Sequence, residues 1–176
     1  MSAGSSAEPN AASLDRLRRL AAFRPRIEEA GGSAEFREAD VTDEDAMRSL
    51  FEGLDLDVLV NNAAYYAPLV TDKKRFDEIP AEEWDTVLAV NAKGTFLASK
   101  HALDAFDDGG SIVNISSSVV TMGVPGFLHY VASKGAVLAP HWITPLIPWT
   151  TAISISGWRW YGESSSLIGY SKARNE

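Results

Sequence analysis

A chain of 176 residues, 45% hydrophobic and 23% charged, has ordinary globular composition and enough length to bury one core. Its net charge of -8 and pI near 4.9 argue against nucleic acid or an anionic membrane as partner and fit a soluble, cytoplasmic protein. The absence of cysteine excludes disulfides, thiolate nucleophiles and thiolate metal sites, and with only His101, His129 and His141 no metal site is expected.

Residues 1–13 are small and polar, read as a disordered leader, and carry no apolar run of the signal-peptide kind. A truncated α/β domain is expected over 14–139 and a tail of different character over 140–176. Leu14, Leu17, Leu20 and Ile27 place an Arg-rich amphipathic helix over 14–30, interrupted by Pro25 and ended by Gly31 and Gly32. Imperfect alternation over 34–39 predicts a strand near a sheet edge. Thr42 is the expected N-cap, with Asp45 in the capping-box position, of a short helix through Phe51. Val58, Leu59 and Val60 read as a strand covered on both faces.

Farther along, a long helix is expected over 81–105 after Pro80, then a strand over 111–115 and a helix over 130–138 that Pro140 stops. The uncharged stretch between Lys134 and Arg159 is long enough to span a bilayer, but Pro140, Pro145 and Pro148 argue against a spanning helix. Strands alternating with helices from 34 to 138 predict a parallel sheet.

Tyr130 and Lys134 stand at i and i+4, on one helix face, with Ser117 thirteen residues before the tyrosine. An ammonium beside a phenol favours the phenolate and lowers the tyrosine pKa. Such a tyrosine exchanges a proton with an alcohol or carbonyl oxygen, and a nearby serine hydroxyl can steady that oxygen. Packing alone would make Asn91 a helix-kink residue and Asp40 a strand-end turn.

The surroundings extend the pattern: Ala39-Asp40-Val41-Thr42-Asp43, Asn61-Asn62-Ala63-Ala64, Trp84 through Val90-Asn91, Asn114-Ile115-Ser116-Ser117, and Tyr130 to Lys134 followed by Gly135-Ala136-Val137. In order and spacing these resemble the short-chain dehydrogenase/reductase family over about 30–139. The resemblance implies an NAD(P)-dependent oxidoreductase that interconverts an alcohol and a carbonyl on a Rossmann-like fold. Asn91, Ser117, Tyr130 and Lys134 match its catalytic tetrad: Tyr130 as general acid/base, Ser117 holding the substrate oxygen, Asn91 anchoring a water of the proton relay. Lys134 would lower the tyrosine pKa and bind the nicotinamide ribose. Asp40 and Val41 match adenine contacts, Asn62 and Ala63 lie along the cofactor (NAD or NADP), and a small-molecule substrate and a homo-oligomer are implied. Ala64 departs from the usual glycine.

The resembled family also uses a glycine-rich turn after its first strand, and Gly4 is the only glycine ahead of Gly31 here. The fold expected is therefore a partial Rossmann-like, doubly wound parallel sheet lacking the first strand, first helix and second strand, with an atypical C-terminal tail. In the family's strand order, 3-2-1-4-5-6-7, the 34–39 strand would move inward to pair with the 58–60 strand. The tail holds Trp142, Trp149, Trp158 and Trp160 without helical or strand period. The alternative expectation is a catalytically inactive fragment, from a shifted frame, faulty gene model or splicing, that binds cofactor weakly and associates with a full-length relative.

Overall fold

A computed structural model describes residues 23–66, 73–106, 110–122, 124–139, 150–153 and 168–171, the last two segments as backbone strands. Two compact units divide the chain, Met1–Glu38 and Ala39–Glu176.

In the first unit, α1 (Arg24–Glu29) carries a proline in its first turn. There the missing N–H costs nothing, so Pro25 opens this helix instead of interrupting it. Gly31, at φ +82, follows its end in the left-handed conformation. Expected helix positions 14–22 lie outside the described residues. No strand forms over 34–39: Phe36 is 52% exposed, and Arg37 Nε pairs with Glu35 Oε1 at 2.7 Å. The large apolar side chain of the pattern, Phe36, stays exposed, and only the small Ala39 packs against the core.

In the second unit, α2 (Glu44–Phe51) is capped by Asp43, whose carboxylate accepts from the N–H groups of Asp45 and Ala46. This corrects the expectation for Thr42, whose hydroxyl and N–H both donate to Asp40 at 2.8 Å. Strand β1 (Val58–Asn61) buries Leu59 and Asn61 but leaves Val58 and Val60 half-buried, so it is not covered fully on both faces.

The expected long helix is present in pieces. α3 (Ala81–Leu88) passes into a π-helical turn, Ala89–Lys93, then into α4 (Gly94–Ala102), with a 3₁₀ turn at Leu103–Ala105. Strand β2 (Ser111–Ile115) follows, then a single turn α5 (Val119–Met122) and α6 (Leu128–Leu138), which starts two residues before Tyr130.

β1, β2 and β3 (Thr150–Ile153) form a parallel sheet, with Val58 opposite Ser111 and Ile112 opposite Thr150. The other edge of β1 pairs antiparallel with β4 (Ile168–Ser171), Leu59 opposite Tyr170. The order is thus β3-β2-β1-β4. Two strands come from the tail that showed no period, and β4 takes the place expected for the 34–39 strand. Val41, Met47, Phe51, Leu56, Leu59, Val90, Leu97, Ala98, Ala102, Ala105 and Ile112 close the core.

No helix among the described residues is long and apolar enough to cross a membrane.

Candidate active site

At the C-terminal ends of β1 and β2 three elements converge. Parallel strands leave their loops at that end, so the side chains just beyond each strand share one rim. Ser117 sits two residues past β2. Tyr130 and Lys134 are one turn apart on α6, and Asn91 lies within the π turn.

Lys134 is 3% exposed, and its Nζ donates to the carbonyl of Ile115, the last residue of β2, at 2.8 Å. The Ser116 hydroxyl donates to the Lys134 carbonyl at 2.9 Å. These bonds fasten α6 to the strand end. Burial pulls the Lys134 ammonium down from 10.5 to about 8, because an apolar surround disfavours the charged form.

Tyr130 shows the opposite shift from the one expected. Burial raises its pKa above 10.0, the Ser117 hydroxyl opposes this by hydrogen-bonding the phenol side chain, and Tyr66 adds to the rise. The Lys134 ammonium lies over the tyrosine ring, 6.0 Å from its centre. Geometry brings the pair together as the spacing implied, with the ammonium's hydrogen bond given to the Ile115 carbonyl.

Asn91 is fully buried, and its amide is saturated. Its Oδ1 accepts from the Tyr65 N–H at 2.6 Å, and its Nδ2 donates to the Tyr65 carbonyl at 3.1 Å and the Ser133 hydroxyl at 2.9 Å. Ser133 in turn donates to the carbonyl of Tyr130 at 2.8 Å. Asn91 therefore ties the strand-end loop to the helix that bears the tyrosine. The π turn explains how: Gly94 N–H bonds the carbonyl of Ala89, five residues back, and widens the helix at Asn91.

Of the residues expected along a cofactor, Asn62 is exposed and Ala63 partly buried just beyond β1. Val41 is buried against α4, where a Cβ placed on Gly94 would lie 2.7 Å from Val41 Cγ2. Asp40 spends its carboxylate on Thr42. A shallow crevice lined by Val41, Asn61, Ala63, Gly94, Thr95 and Ala98 runs between them.

Several structural partners were not singled out from the sequence. Asn61 Nδ2 donates to Asn114 Oδ1 at 2.8 Å and to Ser99 Oγ at 2.9 Å, a buried bridge between the two central strands and α4. Ser133 was visible only as a spacer inside the Tyr-to-Lys motif. His101 and His129 each face a glutamate, Glu44 and Glu83 respectively, and His141 lies outside the described residues. No group of acidic or histidine side chains suited to a metal ion occurs among the described residues.

Comparison with known proteins identifies the family of the chain. A family model described as short chain dehydrogenase matches residues 7–140. The chain is 37% identical over 117 residues to a 3beta-hydroxysteroid dehydrogenase of Mediterraneibacter gnavus, covering 63% of this chain and 41% of that protein. It is 36% identical over 118 residues to a cyclopentanol dehydrogenase of Comamonas testosteroni, covering 63% and 45% respectively. Among solved structures, a dehydrogenase/reductase from Sinorhizobium meliloti 1021 superposes with a TM-score of 0.69 at 29% identity, over 80% of this chain and 58% of that one. A short chain dehydrogenase from Mycobacterium smegmatis gives 0.66 at 30% identity, over 79% and 62%. The chain thus spans less than half the length of these two curated relatives. Its sheet is a partial Rossmann-type α/β architecture.

Proposed function

This chain belongs to the short chain dehydrogenase family, and from that premise we propose that Asn91, Ser117, Tyr130 and Lys134 form the proton-transfer centre of an NAD(P)-dependent oxidoreductase interconverting an alcohol and a carbonyl. The observation that carries this reading is the convergence of Ser117, which draws the Tyr130 pKa down against burial, with Tyr130 and a buried Lys134 at the rim where the parallel strands end.

The Tyr130 hydroxyl and the Lys134 ammonium form a donor set that fits a nicotinamide ribose. No glycine-rich turn for a pyrophosphate occurs among the described residues. When bound, the nicotinamide supplies or accepts the hydride. The chain's own residues hold the oxygen and move the proton. Ser117 fixes the substrate oxygen beside the phenol, and Tyr130 gives or takes the proton there. Lys134 remains a cation at neutral pH, near 8 as it stands. Turned from the Ile115 carbonyl toward the phenol, it would offset the burial that raises Tyr130. Asn91 holds the loop at Tyr65 against α6, keeping the rim in register. Asp40, Val41, Asn62 and Ala63 would flank the remainder of the cofactor.

One observation favours a second reading, an inactive fragment that binds cofactor weakly and associates with a full-length relative. Strand β4 runs antiparallel on the edge of β1, where the resembled fold seats its glycine-bearing strand. Titration with NADH and NADPH, followed by nicotinamide fluorescence, separates the two. Saturable micromolar binding, with turnover lost in Tyr130→Phe, supports the oxidoreductase; no binding at millimolar cofactor refutes it in favour of the fragment.

A further inference from the structure

The entry to α6 is held by contacts that proton transfer does not use. His129, the residue before Tyr130, is 1% exposed, and its Nε2 lies 3.0 Å from Oε1 of Glu83 in the first turn of α3. The second carboxylate oxygen of Glu83 takes the ammonium of Lys74. Glu83 and Lys74 are themselves mostly shielded, with side-chain exposures of 17% and 24%.

Around this chain of three, the segment 73–75 lies on the loop that leads into α6. Lys74 N–H donates to the Gly126 carbonyl at 3.4 Å, and the Lys73 ammonium stands 5.7 Å from the centre of the Phe127 ring. Gly126 has φ +90, and a Cβ there would sit 3.0 Å from the Lys73 side chain, so only glycine lets the two strands of backbone approach.

The surroundings favour the ionised form of Glu83. The Glu83 carboxyl is held below its usual value by the Lys74 hydrogen bond first and by His129 as well, against the opposing effect of burial. An ionised carboxylate only accepts, so Nε2 of His129 is the donor. Nδ1 is buried without a hydrogen-bond partner among the described residues.

We propose that Lys74, Glu83 and His129 form a clamp that docks the 73–75 segment on the start of α6 and so fixes the Tyr130 hydroxyl against Ser117. These are positioning residues; none of them is placed at the reacting oxygen. What the clamp does for turnover rests on the oxidoreductase reading, but the clamp itself is read without turnover.

The test uses trypsin on the intact chain, with mass spectrometry following cuts after Lys73 and Arg75, together with an absorbance titration of Tyr130 referenced to Tyr130→Phe. Breaking the clamp with Glu83→Gln or His129→Phe should speed those cuts about tenfold, because proteolysis follows the population of the locally opened segment. Both variants should also bring the Tyr130 midpoint back toward that of free tyrosine. His129→Gln, whose amide can place a donor where Nε2 stood, should restore both readouts. Should Glu83→Gln fail to fold, Lys74→Met removes the outer arm while leaving the His129–Glu83 contact and must still speed cutting after Lys73 and Arg75. Cutting rates equal to the parent's, an unmoved Tyr130 midpoint, or a His129→Gln variant that behaves like His129→Phe would each overturn the clamp. A parent chain that binds no cofactor would sink the oxidoreductase reading while leaving these results intact.

Discussion

Replacing Lys134 by methionine removes a cation that α6 holds at 3% exposure, and the fall of its pKa on burial sets the size and sign of the effect. The amine titrates near 10.5 when unfolded and about 8 when folded, so between these values the unfolded chain binds more protons. Stability therefore rises with pH across that window, and the burial penalty is fully present below it. At 1.36 kcal/mol per unit the whole penalty is about 3 kcal/mol, an order-of-magnitude ceiling. Between about pH 7.5 and 9.5 the rise should be roughly 2 kcal/mol. Tyr130 runs the other way: with its pKa raised, its contribution is complete below 10.0 and lost as pH climbs beyond that. The measurement therefore stays below the tyrosine's range. Urea unfolding at a series of pH values, followed by circular dichroism, gives the slope. Lys134→Met should flatten it. At neutral pH the variant should also gain about 1 kcal/mol after allowance for the lost bond to Ile115, whose charged donor makes it worth about 2 kcal/mol. A methionine variant that keeps the parent's slope, or that is less stable at neutral pH, would refute the account of Lys134 as a buried charge held at a cost.

Three further predictions concern how the rim is supported. Gly94→Ala should destabilise by about 1–3 kcal/mol through overpacking on Val41, and Val41→Ala in the same chain should recover part of that loss in thermal melts. Asn61→Ala removes the donor shared by Asn114 and Ser99 and should cost about 1–3 kcal/mol; a double-mutant cycle with Asn114→Ala should show coupling between the two positions. Asp43→Ala should cost about 1 kcal/mol by uncapping α2, whereas Thr42→Ala should cost less, which denaturant midpoints can rank.

Much of the site could be read because its signals are local in sequence. Tyr130 and Lys134 share a face through helix geometry alone, and Ser117 follows a strand whose apolar run is plain. The strands at 58–61 and 111–115 and the helical span 81–105 were likewise legible from periodicity and from proline and glycine punctuation. Three things were not. The direction of the Tyr130 shift depends on where the Lys134 ammonium points, and the Ile115 carbonyl that captures it carries no sequence signature. The failure of 34–39 to become a strand goes with the exposure of Phe36, which its short pattern does not announce. The tail strands β3 and β4 are paired through backbone groups with residues far away, and four-residue strands offer too short a pattern to announce themselves. Glu83 and His129 belong with these, since nothing in a sequence links two side chains 46 residues apart.

The π turn at Ala89–Lys93 bears on how this helix tolerates insertion and deletion. A π turn is an α-helix carrying one surplus residue, with the helices on either side kept in phase. Deleting a single residue there would therefore close the ladder into an unbroken α-helix. The faces that bury Val87 on one side and Leu97, Ala98 and Ala102 on the other would stay aligned with the core. What would go is the outward step that lets Asn91 reach both Tyr65 and Ser133. Among single-residue deletions, those within 89–93 should thus separate folding from site assembly, leaving a protein that melts much like its parent while the rim has come apart.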